Sequence, residues 1–560
     1  MADQVIYDNT INHFDSFATG PTTKKIIIDV ADNSNADYSL GESIFESDTI
    51  SNNGYWQNFR NAYIDMPVVL ELGTTDNSID FTAASGIGGG DLALAMKSSN
   101  YNLIHSIQID SGGNIYKSTD YINHFINFEL NTKMDLNDEA VNGETIGYYK
   151  NTSDSWRFFG VPTPYGEGLC NNTNVNTNSN ASSITGISTN SGLYKAQQNF
   201  LSIDNDEKTG LLGTNVNNYK LTGRKVIQST TTKKYYYFNM VLRLRDLPFF
   251  DNFPLSRGTN FKITMRYNTP SFNVTKDVSG NLSFAPSSYI NRGGTNPVMF
   301  TSSSVIVPSV KNEYGLTPVA AETSYANSAD SLDVYAGGSK MLPCGKTYTV
   351  KLTIGGSTAI RRTGRLYVPC YELSPENENA LLSLPPRKIT YTQHYFKAYK
   401  EVSGSFQQLI HNGVSRATRL VIMPFLSKSV NGFEQNISPF SDGMLTPNLI
   451  SNVNLRVAGE PNYKSNIDYN YQMFLNEIVS MDKNENQIMG LVSSRINSVD
   501  YANTYGYIVF DLRRRNLSEE NVKKSLEFSC DILAPASLDL YCFVEYETDV
   551  TLDFKTGQLS

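Results

Sequence analysis

The chain has 560 residues and a formal net charge of −9, with 40% hydrophobic residues, 18% charged residues, 34 Tyr and 28 Phe. This much apolar and aromatic material excludes a disordered chain and predicts large buried cores. The acidic balance, with no basic patch or arm, argues against strong direct binding of nucleic acid, which needs many Lys and Arg to neutralise phosphates. Residues 1–22 form a polar arm that lacks the charged and apolar regions of a signal peptide, and no run approaches the roughly 20 apolar residues of a membrane span. We therefore expect a cytosolic product.

Short strands separated by polar turns are the dominant pattern after this arm. Runs rich in Ile, Val, Tyr and Phe alternate with clusters of Asn, Asp, Ser and Gly, which is typical of an all-β protein with few helices. In the third run, Leu103, His105 and Ile107 are predicted to face one way. Strands are predicted over Lys24–Val30, Ala62–Leu72, Leu103–Ile109, Tyr235–Arg245, Phe261–Tyr267, Tyr348–Ile354 and Arg365–Tyr371.

Two long polar spans interrupt this part of the chain. Residues 135–232 include an Asn, Thr and Ser tract that cannot build a core, and residues 268–341 are also irregular. Loops of this length are uncommon inside a compact unit unless they are functional. We therefore interpret both spans as insertions that project outward.

A short helix is the predicted boundary between two halves of the chain. Ser374 can cap this helix, Pro375 occupies its first position, and Pro385 and Pro386 stop it. The chain beyond the helix is compact. Strands are predicted there over Lys388–Tyr399, Arg419–Leu426, Ile450–Val457, Tyr505–Leu512, Leu526–Ile532 and Leu538–Phe554.

The closing strand has the clearest alternation in the chain. From Val544 to Phe554, apolar side chains alternate with acidic ones such as Glu545 and Asp549. The pattern predicts one buried face and one solvated, acidic face.

One stretch of the chain occurs twice. Asn102–Leu130 returns in altered form as Asn448–Leu475, and two single-residue gaps bring Tyr121 onto Tyr469. Flanking matches keep the same order, which indicates an internal duplication. We predict two domains, residues 23–385 and 386–560. The matches are Gly112 with Gly459, Tyr116-Lys117-Ser118 with Tyr463-Lys464-Ser465, IDMPVVL (64–70) with VIMPFLS (421–427), and MVLRLRDL (240–247) with IVFDLRRRNL (508–517).

No motif has catalytic, cofactor-binding or metal-binding spacing, so we expect neither an enzyme nor a cofactor. The segment GIGGGD at Gly86–Asp91 lacks the Lys-Ser/Thr of a phosphate-binding loop and the helix that would follow it, and is interpreted as a flexible turn. Carboxylates are plentiful, but no pair has the signature of a glycoside hydrolase. The histidines have no metal-ligand spacing and are interpreted as structural: His13, His105, His124, His394 and His411.

The remaining polar features also have structural interpretations. The triplet Arg513–Arg515 could contact a neighbouring subunit or a nucleic acid, and surface ion pairs are the preferred interpretation. The glycosylation triplets at Asn151 and Asn180 are attributed to composition. The cysteines contain no CxxC pair and are interpreted as reduced, buried thiols: Cys170, Cys344, Cys370, Cys530 and Cys542.

Together these segments resemble the double jelly-roll major capsid proteins, and especially those of virophages and Polinton-like viruses, which are related to adenovirus hexon and tectivirus-type phage capsids. The resemblance extends over most of residues 24–554 except the two insertions. It rests on the number and order of the motifs, which are the MP strand, the NLI strand with its glycine turn, LRDLPFFDNFPLSRG, RLYVPCYELSPE, SPFSDGMLTPNLISNVNLRVAG, YIVFDLRRRN and LDLYCFVEYETDV.

The resemblance implies two tandem eight-stranded jelly rolls, each made of two facing four-stranded sheets, with the long insertions in the first roll. It further implies a homotrimer that forms a pseudo-hexagonal capsomer in the icosahedral shell of a double-stranded DNA virus. The insertions would lie on the outer face, where a host receptor could bind, and the arm would lie inside. Expected partners are neighbouring capsomers and the penton and minor or cement proteins, with assembly in the host cytoplasm or a viral factory.

Two other functions are compatible with the residues. A carbohydrate-binding or adhesive β-sandwich, such as a spike or fibre, would suit the neutral Asn, Ser, Thr and Tyr surface, because jelly rolls also occur in lectins. A β-sandwich hydrolase would need a cleft with a positioned acid pair, for which the sequence has no signature.

Overall fold

The structure is a computed structural model of the whole chain. It describes residues 22–34, 37–74, 92–134, 138–148, 225–276, 282–289, 295–302, 333–334, 340–341, 346–355, 363–427, 435–437, 449–481, 496–498, 501, 505–513, 522–533 and 536–560. The N-terminal arm, GIGGGD, Cys170, Cys344, His13, Arg514, Arg515 and both glycosylation triplets lie outside these residues, as does most of the two insertions. None of the described helices is long and apolar enough to cross a membrane.

Sheets dominate both halves of the chain. The first half contains β1 (Thr22–Ala31), β2 (Glu42–Glu46), β3 (Trp56–Gln57), β4 (Tyr63–Thr74), β5 (Leu92–Met96), β6 (Ile104–Ser111), β7 (Asn114–Asp120), β8 (Lys225–Ser229), β9 (Lys233–Arg243), β10 (Lys262–Tyr267), β11 (Pro270–Lys276), β12 (Leu282–Tyr289), β13 (Val298–Ser302), β14 (Asp333–Val334), β15 (Lys340–Met341), β16 (Lys346–Ile354) and β17 (Arg365–Leu373). The second half contains β18 (Arg387–Val402), β19 (Gly404–Val414), β20 (Ala417–Leu426), β21 (Ile450–Val457), β22 (Glu460–Pro461), β23 (Ile508–Asp511), β24 (Lys524–Ile532) and β25 (Leu538–Leu552).

Helices are few and most are short. The α-helices are α1 (Asp48–Ser51), α2 (Ile122–Lys133), α3 (Glu144–Ile146), α4 (Pro375–Leu382) and α5 (Tyr471–Met481). Three 3₁₀ turns span Asn100–Leu103, Leu244–Asp246 and Gln435–Ile437, and a π turn spans Glu139–Gly143. Helix α4 lies between β17 and β18, where the sequence predicts the boundary between the halves.

Each half folds as a jelly roll. In the second half the sheet orders are β18-β25-β20-β23, called sheet III, and β19-β24-β21-β22, called sheet IV. In the first half, pairings give β1-β17-β4-β9 as the centre of sheet I, and the order β2-β10-β6-β7 as sheet II. The same strand positions pair in the same order in both halves, so the predicted all-β fold of two tandem jelly rolls is confirmed.

The first roll is enlarged at one end of sheet I. Strand β4 pairs with β17 through Tyr63–Asp65 and then, along the same edge, with β16 through Val68–Thr74. Strands β11 and β12 continue this extension, and β8 pairs with the outer edge of β9. The prediction that residues 268–341 are irregular is therefore wrong for the β11 and β12 hairpin. In β11 the buried Phe272 and Val274 do alternate with Ser271, Asn273 and Thr275, but this short apolar period lies in a span rich in Ser and Asn, which concealed it.

The duplicated sequence maps onto equivalent elements of the two rolls. Asn102–Leu130 forms β6, β7 and α2, and Asn448–Leu475 forms β21, β22 and the start of α5. The turn glycines Gly112 and Gly459 both have positive φ, of 57° and 87°, which glycine adopts without strain. The repeat therefore marks the fourth and fifth of the eight strands of each roll and the helix that follows, not an early strand.

The match between the two MP strands is displaced by one residue. The downstream match of β9 with β23 places Arg243 at the position of Asp511. Tyr63 pairs with Arg243 and Arg419 pairs with Asp511, so Tyr63 is equivalent to Arg419, and Met66 is equivalent to Ile422, one residue before Met423. Met66 therefore faces the interior of its roll, whereas Met423, opposite Tyr541, faces outward. A one-residue slip moves a side chain to the other face of a strand, so the letters MP coincide without equivalent roles.

Strand β19 and helices α2 and α5 are absent from the sequence predictions. In β19 the buried residues Phe406, Ile410 and Val414 are four apart, because the exposed Gln408 and Asn412 lie between them and the pairing with β24 has two irregularities. Gly413, at φ 151°, lies within one of them. A period of four resembles neither a regular strand nor a clear helix, which explains the miss.

The three described cysteines are buried free thiols, as predicted. Burial raises the pKa of Cys370 to about 11 and that of Cys530 to about 12, and raises the pKa of Cys542 further. Because only the thiolate is nucleophilic, we expect iodoacetamide at pH 8 to leave these three residues unmodified in the native protein and to modify all three in denaturant. Peptide mass mapping measures this, and rapid native alkylation of any of the three would contradict the buried positions.

Candidate assembly interface between the rolls

The two rolls meet where β7 and α2 of the first roll contact the outer face of sheet III, and this surface is called the seam. Aromatic rings supply much of it. Tyr121 lies 4.5 Å from Phe396 and 5.3 Å from Tyr541, measured between ring centroids, and His124 lies 5.5 Å from Tyr541. Further ring pairs are Phe125 with His394 at 3.8 Å and with Phe543 at 6.0 Å, His124 with Phe425 at 5.4 Å, and Phe128 with Tyr507 at 4.9 Å.

Helix α2 is buried on both sides because it lies between the rolls. Asn123, Asn127 and Asn131 recur every four residues and so share one face. The amides of Asn123 and Asn127 donate to Asn102 Oδ1 at 3.2 and 2.7 Å. Tyr148 donates to Asn131 Oδ1 at 2.8 Å. Asn131 also donates to the Tyr507 hydroxyl of the second roll at 3.1 Å. The Asn face therefore binds mainly the first roll, while the aromatic face binds the second.

This arrangement overturns one prediction for the closing strand. Residues 538–544 of β25 are buried on both faces, since the roll's own core covers one face and the seam covers the other. The acidic face of β25 is not solvent-exposed along its whole length, because only 12% of the Glu545 side chain is exposed and Glu545 pairs with Arg419. An alternating pattern cannot distinguish a solvated polar face from one that a partner of opposite charge covers.

Arg419 joins three elements at the seam. Its guanidinium pairs with Glu129 of α2 and Glu545 of β25, and only 8% of its side chain is exposed. It also lies 5.1 Å from the ring centroid of Phe125 and 5.2 Å from that of Phe128. Two carboxylates and two aromatic faces thus compensate one buried positive charge.

A second buried basic side chain lies close to Arg419, beside His394 of the neighbouring part of sheet III. Lys117 of β7 is fully buried, with its Nζ 2.7 Å from His394 Nδ1 and donating to the Thr392 carbonyl at 3.1 Å. Burial lowers the pKa of Lys117 to about 7, although the charge of Glu545 opposes this shift. Burial and the nearby Lys117 hold the pKa of His394 well below its usual value.

Hydrogen bonds extend the seam beyond α2. Tyr116 donates to the Leu559 carbonyl at 2.9 Å, and Tyr391 donates to the Tyr116 carbonyl at 2.9 Å. Lys97 donates to the Asn436 carbonyl at 3.4 Å. The rolls are therefore linked from strand β18 to the C-terminal segment, which favours one rigid unit.

Each of the four histidines among the described residues contacts other side chains of the fold. His105 lies in β6, with its ring centroid 4.7 Å from that of Tyr121. His124 Nε2 forms a hydrogen bond of 2.9 Å with the Thr295 hydroxyl. His411 of β19 contacts Tyr395 at 4.3 Å. In the described part of the chain, no group of three or more His, Cys, Asp or Glu residues could hold a metal ion. Arg513 pairs with Asp511 at 3.2 Å, in agreement with the ion-pair interpretation of that residue.

Sequence reasoning missed Asn102, Arg419 and the whole of the seam. Asn102 is the first residue of the repeat, and its recurrence as Asn448 was the available signal. Arg419 had no such signal, because its partners Glu129 and Glu545 are distant in sequence.

Comparison with known proteins gave structural likenesses alone. No family model matches the chain, and no curated protein sequence matches it. The fold is similar to a chain of the Sputnik virophage structure determined by cryo-EM, with a TM-score of 0.49, 10% identity, and coverage of 98% of this chain and 90% of that chain. It is also similar to the Faustovirus major capsid protein, with a TM-score of 0.44, 10% identity, and coverage of 97% of this chain and 93% of that chain. For the PBCV-1 virus capsid the TM-score is 0.37 and the identity 10%, with coverage of 98% of this chain and 99% of that chain.

Proposed function

We propose that the chain is the major capsid protein of an icosahedral double-stranded DNA virus and acts as a structural protein, not an enzyme. The observation that carries the proposal is the tandem pair of equivalent jelly rolls, joined by a buried seam into one unit. A single roll would suffice for a lectin-like binding site. Two equivalent rolls held side by side instead provide repeated, similar edges for contact with neighbours.

A homotrimer makes use of this duplication. Two similar rolls in each of three chains present six nearly equal sides, and a six-sided tile can meet a neighbour at every side of a flat facet. The seam supports this arrangement because it holds the two rolls of one chain at a fixed angle. Without a rigid seam, the six sides would not keep a regular outline.

The same proposal assigns the parts of the chain. Residues 23–385 form the first roll and residues 386–560 the second, with α4 as the boundary. The insertions at 135–232 and 268–341 lie on the outer face of the shell, where a host receptor could bind, and residues 1–22 lie inside. Neighbouring capsomers, pentons and minor proteins are the partners, and the virion is the final location.

The expressed chain is expected to be a trimer in solution. Three copies of the 62.3 kDa chain give a mass of about 187 kDa. Light scattering after size exclusion, at micromolar chain concentration, measures this mass. A chain that remains at 62.3 kDa at all concentrations would contradict the proposal.

The copy number in purified particles separates a shell protein from a spike. A shell protein is expected in hundreds of copies and as the most abundant band of the particle. Quantitative mass spectrometry against a labelled standard measures the ratio to other particle proteins. A small, fixed number of copies would instead identify a spike or fibre.

A further inference from the structure

The first roll has an outer sheet face equivalent to the one that the seam covers in the second roll. In sheet III, paired strands place His394, Glu545, Arg419 and Asp511 in one row across the sheet. The equivalent row in sheet I is Asp29, Tyr367, Tyr63 and Arg243.

The two rows differ sharply in exposure. In sheet III, His394 and Arg419 are buried beneath α2. In sheet I, the Tyr367 ring is only half-buried and Asp29 is exposed. Next to them, 45% of the Arg365 side chain is exposed, and Ile27 is 56% exposed although it is apolar. Arg243, at the far end of the row, is largely covered by its contact with Asp246, but no described element covers Asp29 and Tyr367 as α2 covers His394 and Arg419.

The second roll has a helix equivalent to α2 with an open face. The repeat pairs Tyr121 with Tyr469, so the α2 residues that contact sheet III correspond to residues of α5. Gln472 and Asn476 are exposed and joined by a 2.9 Å hydrogen bond, and Met473 is half-buried. The matches are His124 with Gln472, Phe125 with Met473, and Phe128 with Asn476.

We propose that α5 of one chain docks on the outer face of sheet I of a second copy, through Gln472, Met473 and Asn476 against Ile27, Tyr367 and Arg365. The seam is the template for this contact, because it shows the same helix position on the same sheet face within one chain. The proposal rests on the proposed function for the number of copies in the ring, and it adds the surfaces that join them.

The residues at the two surfaces are chemically compatible. Tyr367 stacks on Tyr63, with centroids 5.0 Å apart, and this aromatic pair is a favourable surface for the Met473 thioether. Arg365, which pairs with Asp29, lies beside it. The amides of Gln472 and Asn476 can donate to the Asp29 carboxylate or accept from the Arg365 guanidinium. This contact is more polar than the aromatic seam, as expected for an interface that assembles from folded subunits.

The contact is head-to-tail, because its two sides are different surfaces. Each chain has one helix side and one sheet side, so association continues until a ring closes. Two single variants, each with one damaged side, can therefore form only one intact contact when mixed. This property gives the proposal a test that ordinary destabilisation cannot reproduce.

The test compares Met473→Glu, which damages the helix side, with Tyr367→Glu, which damages the sheet side. Each variant alone is expected to lose the trimer, and their mixture is expected to form a dimer of about 125 kDa, twice the 62.3 kDa chain mass, without a closed trimer. Leu40→Glu is the matched control, since Leu40 is 85% exposed and lies outside this face, and it is expected to remain trimeric. Light scattering measures all four samples.

Asn476→Arg guards against misfolding, because an exposed helix position tolerates the change in the folded monomer, and it is expected to weaken the trimer at least tenfold. Circular dichroism verifies folding of every variant. If the wild-type chain is trimeric and all three interface variants remain trimeric, the surfaces are wrong and the proposed function stands. If the wild-type chain is a monomer, the proposed function itself fails.

Discussion

Replacement of Arg419 by Met is expected to lower the free energy of unfolding by about 3–5 kcal/mol, which is the usual cost of removing one partner from a buried ion pair. Met keeps the bulk of the side chain, so the loss reports the charge and not a cavity. The variant leaves Glu129 and Glu545 at the seam without their shared guanidinium. Urea unfolding at a fixed chain concentration measures the change, because the stability of an oligomer depends on concentration.

Two further variants isolate the cause of this loss. Arg266→Met removes an exposed ion pair with Glu42 from sheet II of the first roll, where 58% of the Arg266 side chain is exposed, and is expected to cost less than about 1 kcal/mol. Adding Glu129→Gln and Glu545→Gln to Arg419→Met is expected to recover part of the stability, because neutral amides tolerate burial better than unpaired carboxylates. A cost below about 1 kcal/mol for Arg419→Met would show that the seam does not depend on this charge.

Acid is expected to weaken the seam strongly. Burial is the main cause of a lowered pKa at three histidines. It lowers the pKa of His105, lowers the pKa of His124 to about 3, and holds the pKa of His394 well below its usual value. Neighbouring cations add to the shift at each of the three. The charged groups that act on these histidines are Lys97, Lys400, Lys117, Lys133 and Arg266, with Asp120 opposing at His105.

The direction of the pH effect follows from proton uptake. Below the unfolded pKa of about 6.5, the unfolded chain binds protons that the folded seam excludes. The stabilisation is therefore complete above about pH 6.5 and is lost as the pH falls toward the folded values. One excluded proton contributes about 1.4 kcal/mol per pH unit, so His124 and His394 together give up to about 3 kcal/mol per pH unit, and His105 adds to the loss in the same direction.

Unfolding curves between pH 7 and pH 5 test this expectation. The variant His124→Gln keeps a hydrogen-bonding side chain beside Thr295 but cannot titrate, so the slope should fall by up to about 1.4 kcal/mol per pH unit. His411→Gln, at a half-buried position outside the seam, should change the slope less. Stability that does not change between pH 7 and pH 5 would contradict the depressed histidine pKa values.

The duplication was the part of the fold that the sequence indicated most directly. Residues 102–130 and 448–475 share a glycine turn and a Tyr-Lys-Ser triplet, and local turn chemistry survives divergence because few residues can replace glycine at positive φ. Strands with regular alternation, such as Arg365–Leu373, were also predictable. Strand β19 was not, because its irregular pairing removes the period on which prediction depends.

The seam could not be predicted because its contacts join residues that are far apart in sequence. Helix α2 was hidden for a related reason. It is buried against two rolls, so its sequence INHFINFELNTK lacks a continuous polar face, and the Asn residues that bind the first roll resemble loop residues. The residue type alone does not show whether a polar side chain is buried at an interface or exposed to solvent, and only the fold distinguishes the two.

Images of the purified trimer test the central claim most directly. Class averages from negative-stain electron microscopy are expected to show a threefold particle with six similar lobes around a common axis, two from each chain. Particles with two lobes, or open chains of varying length, would contradict a capsid tile built from paired jelly rolls.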